Sequence, residues 1–271
     1  SEVKKIAAPN PTSYFAGTVA MSADGSTIAI GARSDSSDGV DGDETNENKP
    51  YSGAVHVYVV DAEDTWGRQA YLKASNADED DLFGEAIDLT TDGNTLVVGA
   101  HREASSATGV NGAQDDNTAP YSGAVYVFER QDGTWSQAAY LKPSNTDVSV
   151  SSAFGYALAA SQDGNIIAVG ANGDDSGAKG IGGDDADTGA SNSGAVFVFR
   201  RDPIKGWSQK AYVKAPNTDA LDKFGYQHGV ALSADGKTLA VGAEAEESGA
   251  TGIGGNQHDN TENNAGAVYL Y

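Results

Sequence analysis

The sequence predicts an all-β fold, and three observations carry that prediction. The first is a hairpin signal that occurs four times: Ser22-Ala-Asp-Gly-Ser-Thr-Ile-Ala-Ile-Gly-Ala32, Thr90-Thr-Asp-Gly-Asn-Thr-Leu-Val-Val-Gly-Ala100, Ser161-Gln-Asp-Gly-Asn-Ile-Ile-Ala-Val-Gly-Ala171 and Ser233-Ala-Asp-Gly-Lys-Thr-Leu-Ala-Val-Gly-Ala243. In each, an Asp-Gly pair that accepts positive φ separates two short apolar runs. The second is a repeat of nearly constant size, since Asp24, Asp92, Asp163 and Asp235 stand 68, 71 and 72 residues apart. The third is the lack of any 3.6-residue hydrophobic period.

Each repeat holds four candidate strands. The first follows a Phe-Gly pair, at Phe83-Gly84, Phe154-Gly155 and Phe224-Gly225, with Phe15-Ala-Gly17 as a loosened first copy. It is built of small residues, as in Gly155-Tyr-Ala-Leu-Ala-Ala160, and suits a crowded axis. The second and third strands are apolar on both faces, for example Gly123-Ala-Val-Tyr-Val-Phe128, so a sheet must lie on each side of them. The fourth follows a Trp (Trp66, Trp135, Trp207) and alternates Tyr with Lys, as in Ala139-Tyr-Leu-Lys142, which reads as an outer edge guarded by charge. Radially arranged four-stranded blades meet these demands. The expectation is a single β-propeller domain over residues 1–271, with blades roughly at 14–74, 82–143, 153–215 and 223–271 plus 1–9. The N-terminal strand, Glu2 to Pro9, would close the last blade, because the final repeat stops after its third strand. Two chains sharing a larger ring, or exchanging strands, is the alternative.

Composition narrows the function classes. The chain has no Cys, which excludes disulfides, thiolate metal sites and a Cys nucleophile. A net charge of −22 disfavours nucleic acid and anionic lipid, which need clustered Lys and Arg. No stretch reads as a membrane span. The acidity favours cations, basic partners or solvation.

Phe-Gly, Val-Gly-Ala and Gly-Ala-Val-Tyr-Val-Phe, recurring through nearly the whole chain, resemble the FG-GAP repeat of integrin-α-type β-propellers and their bacterial relatives. That resemblance implies a secreted or surface-attached bacterial module for binding or adhesion. One departure stands out. Calcium-binding blades of that type carry Asp-x-Asp-x-Asp-Gly in the hairpin between strands one and two. Here Asp24, Asp92, Asp163 and Asp235 each stand as the single carboxylate and read as turn residues.

Candidate site residues lie in the long segment between strands two and three. Gly39 and Gly53, Gly109 and Gly123, Gly180 and Gly194, and Gly252 and Gly266 bracket it at a constant spacing of 14, which argues for an ordered loop. Its oxygen donors are Asp41, Asp43, Asn46, Asp115, Asp116, Asp184, Asp185, Asp187 and Asp259. Two readings fit them: calcium, which takes six to eight oxygen ligands, or Asx turns that satisfy the loop's own backbone. Up-and-down strands bring these loops to the same face as the connections between blades, making that face the expected binding surface. Tyr51 and Tyr121 are the best exposed aromatic candidates on it. His228 lies in a two-residue insertion of the last repeat, read as a β-bulge or as a polar group aimed into the central channel. The Trp residues read as packing anchors.

No nucleophile elbow, P-loop, zinc spacing or dinucleotide fingerprint occurs. The expectation is a non-enzymatic extracellular or cell-surface binding, adhesion or surface-assembly module. It would recognise a protein or cell-surface ligand, glycan included, with neither nucleic-acid binding nor membrane insertion, and self-association is open to it. The alternatives are a calcium-dependent hydrolase of phosphate esters or glycans, and a lectin, on the same face.

Overall fold

The computed structural model describes residues 4–9, 13–39, 43–146 and 152–271. Among them there are fifteen strands and no helix. The first blade runs β1 (Phe15–Met21), β2 (Thr27–Ala32), β3 (Ala54–Val60) and β4 (Trp66–Leu72). The second runs β5 (Ala86–Leu89), β6 (Thr95–Ala100), β7 (Ala124–Gln131) and β8 (Thr134–Leu141). The third runs β9 (Ala157–Ala160), β10 (Ile166–Ala171), β11 (Ala195–Asp202) and β12 (Gly206–Val213). The last holds β13 (Val230–Leu232), β14 (Leu239–Ala243) and β15 (Ala267–Leu270). Every sheet is an antiparallel meander in chain order.

The repeats keep one register. Ala32 pairs with Ala54, Ala100 with Ala124, Ala171 with Ala195 and Ala243 with Ala267. The Asp-Gly hairpins close as the sequence predicts. Hydroxyls of Ser22, Thr90, Ser161 and Ser233 donate to Asp24, Asp92, Asp163 and Asp235 at 2.6–2.8 Å. These aspartates are turn residues, and the Ser22 hydroxyl bond is the main reason the Asp24 carboxyl falls to about 2.

Blades join through the Phe-Gly pairs. Phe83, Phe154 and Phe224 are fully buried and reach back into the preceding blade. There the amide of each donates to the carbonyl of Ser52, Ser122 or Ser193 at 2.9–3.1 Å. Phe154, for example, meets the edges of Phe197 and Phe199 in its own blade at 5.7 and 6.0 Å between ring centres. The approach demands glycine. A Cβ on Gly53, Gly123 or Gly194 would lie 2.0–2.2 Å from the phenylalanine carbonyl oxygen, and each has φ near +80°. The short strands β1, β5, β9 and β13 pack in succession, as small axial residues allow. Among the described residues no comparable packing joins β13 to β1. Val19 and Met21 at one end, and Val268 and Leu270 at the other, are exposed.

Two expectations need correction. Residues 4–8 form no strand and do not pair with β15; they run along the first blade, beside Tyr58, Thr65 and Trp66. Lys4 is held there by Asp64 at 3.1 Å. Aligned on Pro9-Asn10 and Pro216-Asn217, this segment has Ala7 where Lys214 stands, so it lacks the side chain that anchors the other fourth strands. The second correction concerns those lysines, which do not guard an edge. Lys142 and Lys214 are fully buried. Trp135 does bridge blades: its indole N–H donates to Gln69 at 2.9 Å.

Candidate functional site

Because strands alternate direction, each long loop between the second and third strands emerges beside the connection that leads to the next blade. Leu82 and Ala153 N–H groups, at the start of the second and third blades, donate to the carbonyls of Tyr51 and Tyr121 at 3.0 Å. One face therefore carries nearly all the loop length.

A buried ionic cluster ties these loops down. Three residues past the Gly-Ala that ends each second strand stands an acid: Asp35, Glu103, Asp174 or Glu246, each 1–2% or 3% exposed. Lys73, Lys142 and Lys214 reach the first three at 3.4, 3.0 and 3.1 Å. Tyr71, Tyr140 and Tyr212 hydroxyls donate to the same carboxylates at 2.7–2.8 Å. Each lysine also donates to the hydroxyl of Ser52, Ser122 or Ser193 at 2.6–2.7 Å. Burial pulls all three ammonium groups below the ordinary lysine range, Lys73 to about 8. An asparagine from the preceding blade completes the set. Asn76, Asn145 and Asn217 donate to Glu103, Asp174 and Glu246 at 2.9–3.0 Å, and to the loop carbonyls of Gln114, Asp185 and Gln257 at 2.7–2.9 Å. These groups make the loop face rigid, because every buried polar atom named has a partner.

Four of these aspartates, Asp43, Asp116, Asp184 and Asp187, bond within their own loops. Asp43 accepts from the Thr45 amide and hydroxyl at 2.8 and 2.7 Å. Asn46 accepts from the Asp38 amide and donates to the Asp43 carbonyl. Asp116 takes the Thr118 amide and the Ser106 hydroxyl. Asp184 takes the Ala186 amide, Asp185 the Ser144 hydroxyl and Asp187 the Gly177 amide. Asp115 is exposed, and Asp259 receives the Gly249 amide on its backbone carbonyl. Asp41 lies outside the described residues. Among the described residues no three His, Asp or Glu side chains converge as a metal site. Asp43, Asp116 and Asp184, each accepting the amide two residues on, follow Asx-turn chemistry.

Tyr51 and Tyr121 stand out from the face, 50% and 46% exposed, with positive φ imposed by the junctions their carbonyls make. The Arg102 guanidinium lies 5.5 Å over the Tyr121 ring. His228 sits at φ +59° in an exposed turn closed by the Gly229 amide on the Tyr226 carbonyl.

A second group of residues was not singled out by the sequence. It occupies the first position after Gly-Ala (Arg33, His101, Asn172, Glu244) and after Phe-Gly (Glu85, Tyr156, Tyr226), at the loop-face ends of the two innermost strands. Arg33 grips both carboxylate oxygens of Glu85 at 2.7 and 2.8 Å. His101 stacks on Tyr156 at 4.4 Å, Tyr156 meets Tyr226 edge-on at 5.5 Å, and Lys223 bonds Glu244 at 3.2 Å. Burial, then Arg102 and Arg33, drives the His101 imidazole down to about 4, so it is neutral at physiological pH. His101 Nδ1 and Asn172 Oδ1 are buried without a hydrogen-bond partner. The signal was present in the sequence as variation: charge, imidazole, amide and phenol alternate at two positions inside an otherwise constant frame.

Residues 66–128, spanning β4 to β7, match the family model of the FG-GAP repeat. An FG-GAP repeat therefore lies within this β-propeller. That repeat type suggests a module for binding or adhesion. The solved structures that resemble this propeller include Sqt1 from Chaetomium thermophilum, at 17% identity and a TM-score of 0.45, over 84% of this chain and 41% of that one. The chain thus spans less than half the length of that protein. No curated protein matches it. No helix among the described residues is long and apolar enough to cross a membrane.

Proposed function

We propose that this propeller is a non-enzymatic extracellular binding module that recognises a protein or glycan on a cell surface through its loop face. The observation that carries this reading is the set Arg33, Glu85, His101, Tyr156, Asn172 and Tyr226. Chemistry changes from blade to blade there, while the frame beneath it does not. Such a surface offers a neutral imidazole, an amide, phenols and one clamped ion pair, with Tyr51 and Tyr121 as aromatic contacts further out. These are groups of binding surfaces, where aromatic residues and Arg carry most of the energy. The FG-GAP resemblance supports an extracellular setting. Calcium is not needed in this reading, which rests on the side chains at the loop-face ends of the inner strands.

The test is a binding screen on a glycan array and on immobilised extracellular proteins, followed by variants. Arg33→Ala with Glu85→Ala, and Tyr51→Ser with Tyr121→Ser, should weaken a saturable interaction by on the order of tenfold or more. Lys237→Ala, on the opposite hairpin face, should leave it unchanged. Binding that survives both loop-face pairs, or turnover of phosphate esters or glycosides by the purified chain, would sink the proposal.

A further inference from the structure

The hairpin between the third and fourth strands of the third blade differs from its sisters. It lies at the end of the strands opposite the loop face. β11 and β12 close over Pro203-Ile204-Lys205, with Asp202 opposite Gly206. Three loop residues backed by a left-handed glycine, Gly206 at φ +77°, make a well-defined turn. The Asp202 carboxylate fixes it further by accepting the Ile204 and Lys205 amides, each at 2.9 Å. Ile204 at the tip is 92% exposed. Arg200, Lys205 and Lys210 are exposed too, and among the described residues none of them forms a salt bridge. The Asp202 carboxyl is held below the ordinary range first by the Lys205 and Ile204 amides, then by the charges of Lys210 and Arg200, so both cations stand beside the loop. The corresponding hairpins carry Asp61, Glu63 and Asp64 in the first blade and Asp132-Gly133 in the second, with no large apolar residue at either tip.

The loop face supplies the complement. At the joint between the first two blades Tyr51 stands out, 50% exposed. The Asp80 amide donates to the Pro50 carbonyl at 2.9 Å and the Leu82 amide to the Tyr51 carbonyl at 3.0 Å, which ties the Tyr51 segment to the connection at 79–82. Glu79 and Asp80 are exposed there, and neither forms a salt bridge among the described residues. One end of the molecule thus presents an isoleucine among unpaired cations, and the other a tyrosine among unpaired carboxylates.

We propose that the β11–β12 hairpin of one copy docks on the loop face of a second copy, with Ile204 against Tyr51 and the hairpin cations toward Glu79 and Asp80. Charge complementarity selects this occupant. In a chain of 39 acids and 17 cations, most contacts between copies set acid against acid, and this one does not. Docking is weak, because the net charge of −22 opposes it, and oriented for the same reason. Hairpin and loop patches lie at opposite ends of the strands, so the contact is heterologous. Each bound copy leaves one hairpin and one loop patch free, and copies add in one direction as an open stack. This inference is independent of the proposed function, whose axial set it leaves untouched.

The test is sedimentation equilibrium of the intact protein over a concentration series at about 0.15 M ionic strength. The average mass should keep rising past that of a dimer. Ile204→Ser with Lys205→Gln should weaken association on the order of tenfold or more, and Glu79→Lys with Asp80→Lys likewise. All four positions are exposed, and unchanged melting will confirm that both variants fold. Mixed in equal amounts, the two variants should recover association but stop at a dimer, since each retains one competent end. A chain that stays monomeric at every concentration overturns the proposal. So does association that both variants leave unchanged, or a mixture that associates no better than its components.

Discussion

Lys142 and Glu103 show how much a single side chain decides in this molecule. Both are fully buried, so removing one leaves the other charged without its partner in a dry cluster. Lys142→Met should cost about 3–5 kcal/mol, and urea melts will read it. Replacing the pair together with Glu103→Leu should recover much of that loss, because a buried ion pair is worth little net of its desolvation. Titration offers a second test at this scale. Burial raises the Asp81 carboxyl to about 7, well above its unfolded value, so the folded state holds a proton that the unfolded state has lost. Stability from this group is complete below about pH 4 and disappears as pH rises to 7. Asp81→Asn should therefore melt higher than the parent at pH 7.5, by ~2–4 °C for each kcal/mol recovered, and the gap should close by pH 4. His56 works the other way. It fills an aromatic slot between Phe15 and Tyr71, and burial pulls it down to about 4. Its contribution is lost as pH falls from about 6.5 to 4, so His56→Phe should flatten the acid limb of the Tm profile. The lysine clusters were illegible in the sequence for a concrete reason. Alternating Tyr and Lys looks like an amphipathic edge, and the acid that partners each lysine stands far back in the chain and alternates between Asp and Glu from blade to blade.

At the scale of elements, the joint between blades is the unit that matters. Gly123→Ala would drive a methyl into the Phe154 carbonyl and should be among the most damaging single changes, above about 4 kcal/mol. Gly266→Ala is the control. The corresponding Cβ has 3.2 Å to its nearest atom, the Glu244 carbonyl, so a small shift of that carbonyl and the strain of positive φ remain, on the order of 1–3 kcal/mol. Thermal melts of the two will show whether the joint or the conformation sets the cost. Strands, hairpins and the repeat frame were readable in advance, since period-2 and turn chemistry are local. Which strand supplies the N-terminal contact was not. It turned on Lys4 finding Asp64, a pairing no pattern announces.

For the whole molecule, the charge of −22 predicts self-repulsion. Raising ionic strength from about 0.01 to 0.15 M shortens the screening length from about 30 to 8 Å and should raise the melting temperature. Calcium and magnesium at equal ionic strength should do so alike. A rise specific to calcium would show that the loops bind it. The candidate site was half legible at this scale. The loop face followed from strand alternation, whereas the axial set needed the blades to be stacked before its members met.

The Asn76, Asn145 and Asn217 contacts, each reaching forward into the following blade, give the stack a direction, like a staircase in which every tread is bolted to the next one up. Because each bolt is the same, a copying error in the gene that inserts or deletes one whole repeat leaves all surviving bolts intact. Repeat number can thus change in single whole-repeat steps, while an insertion or deletion of any other length would sever a bolt.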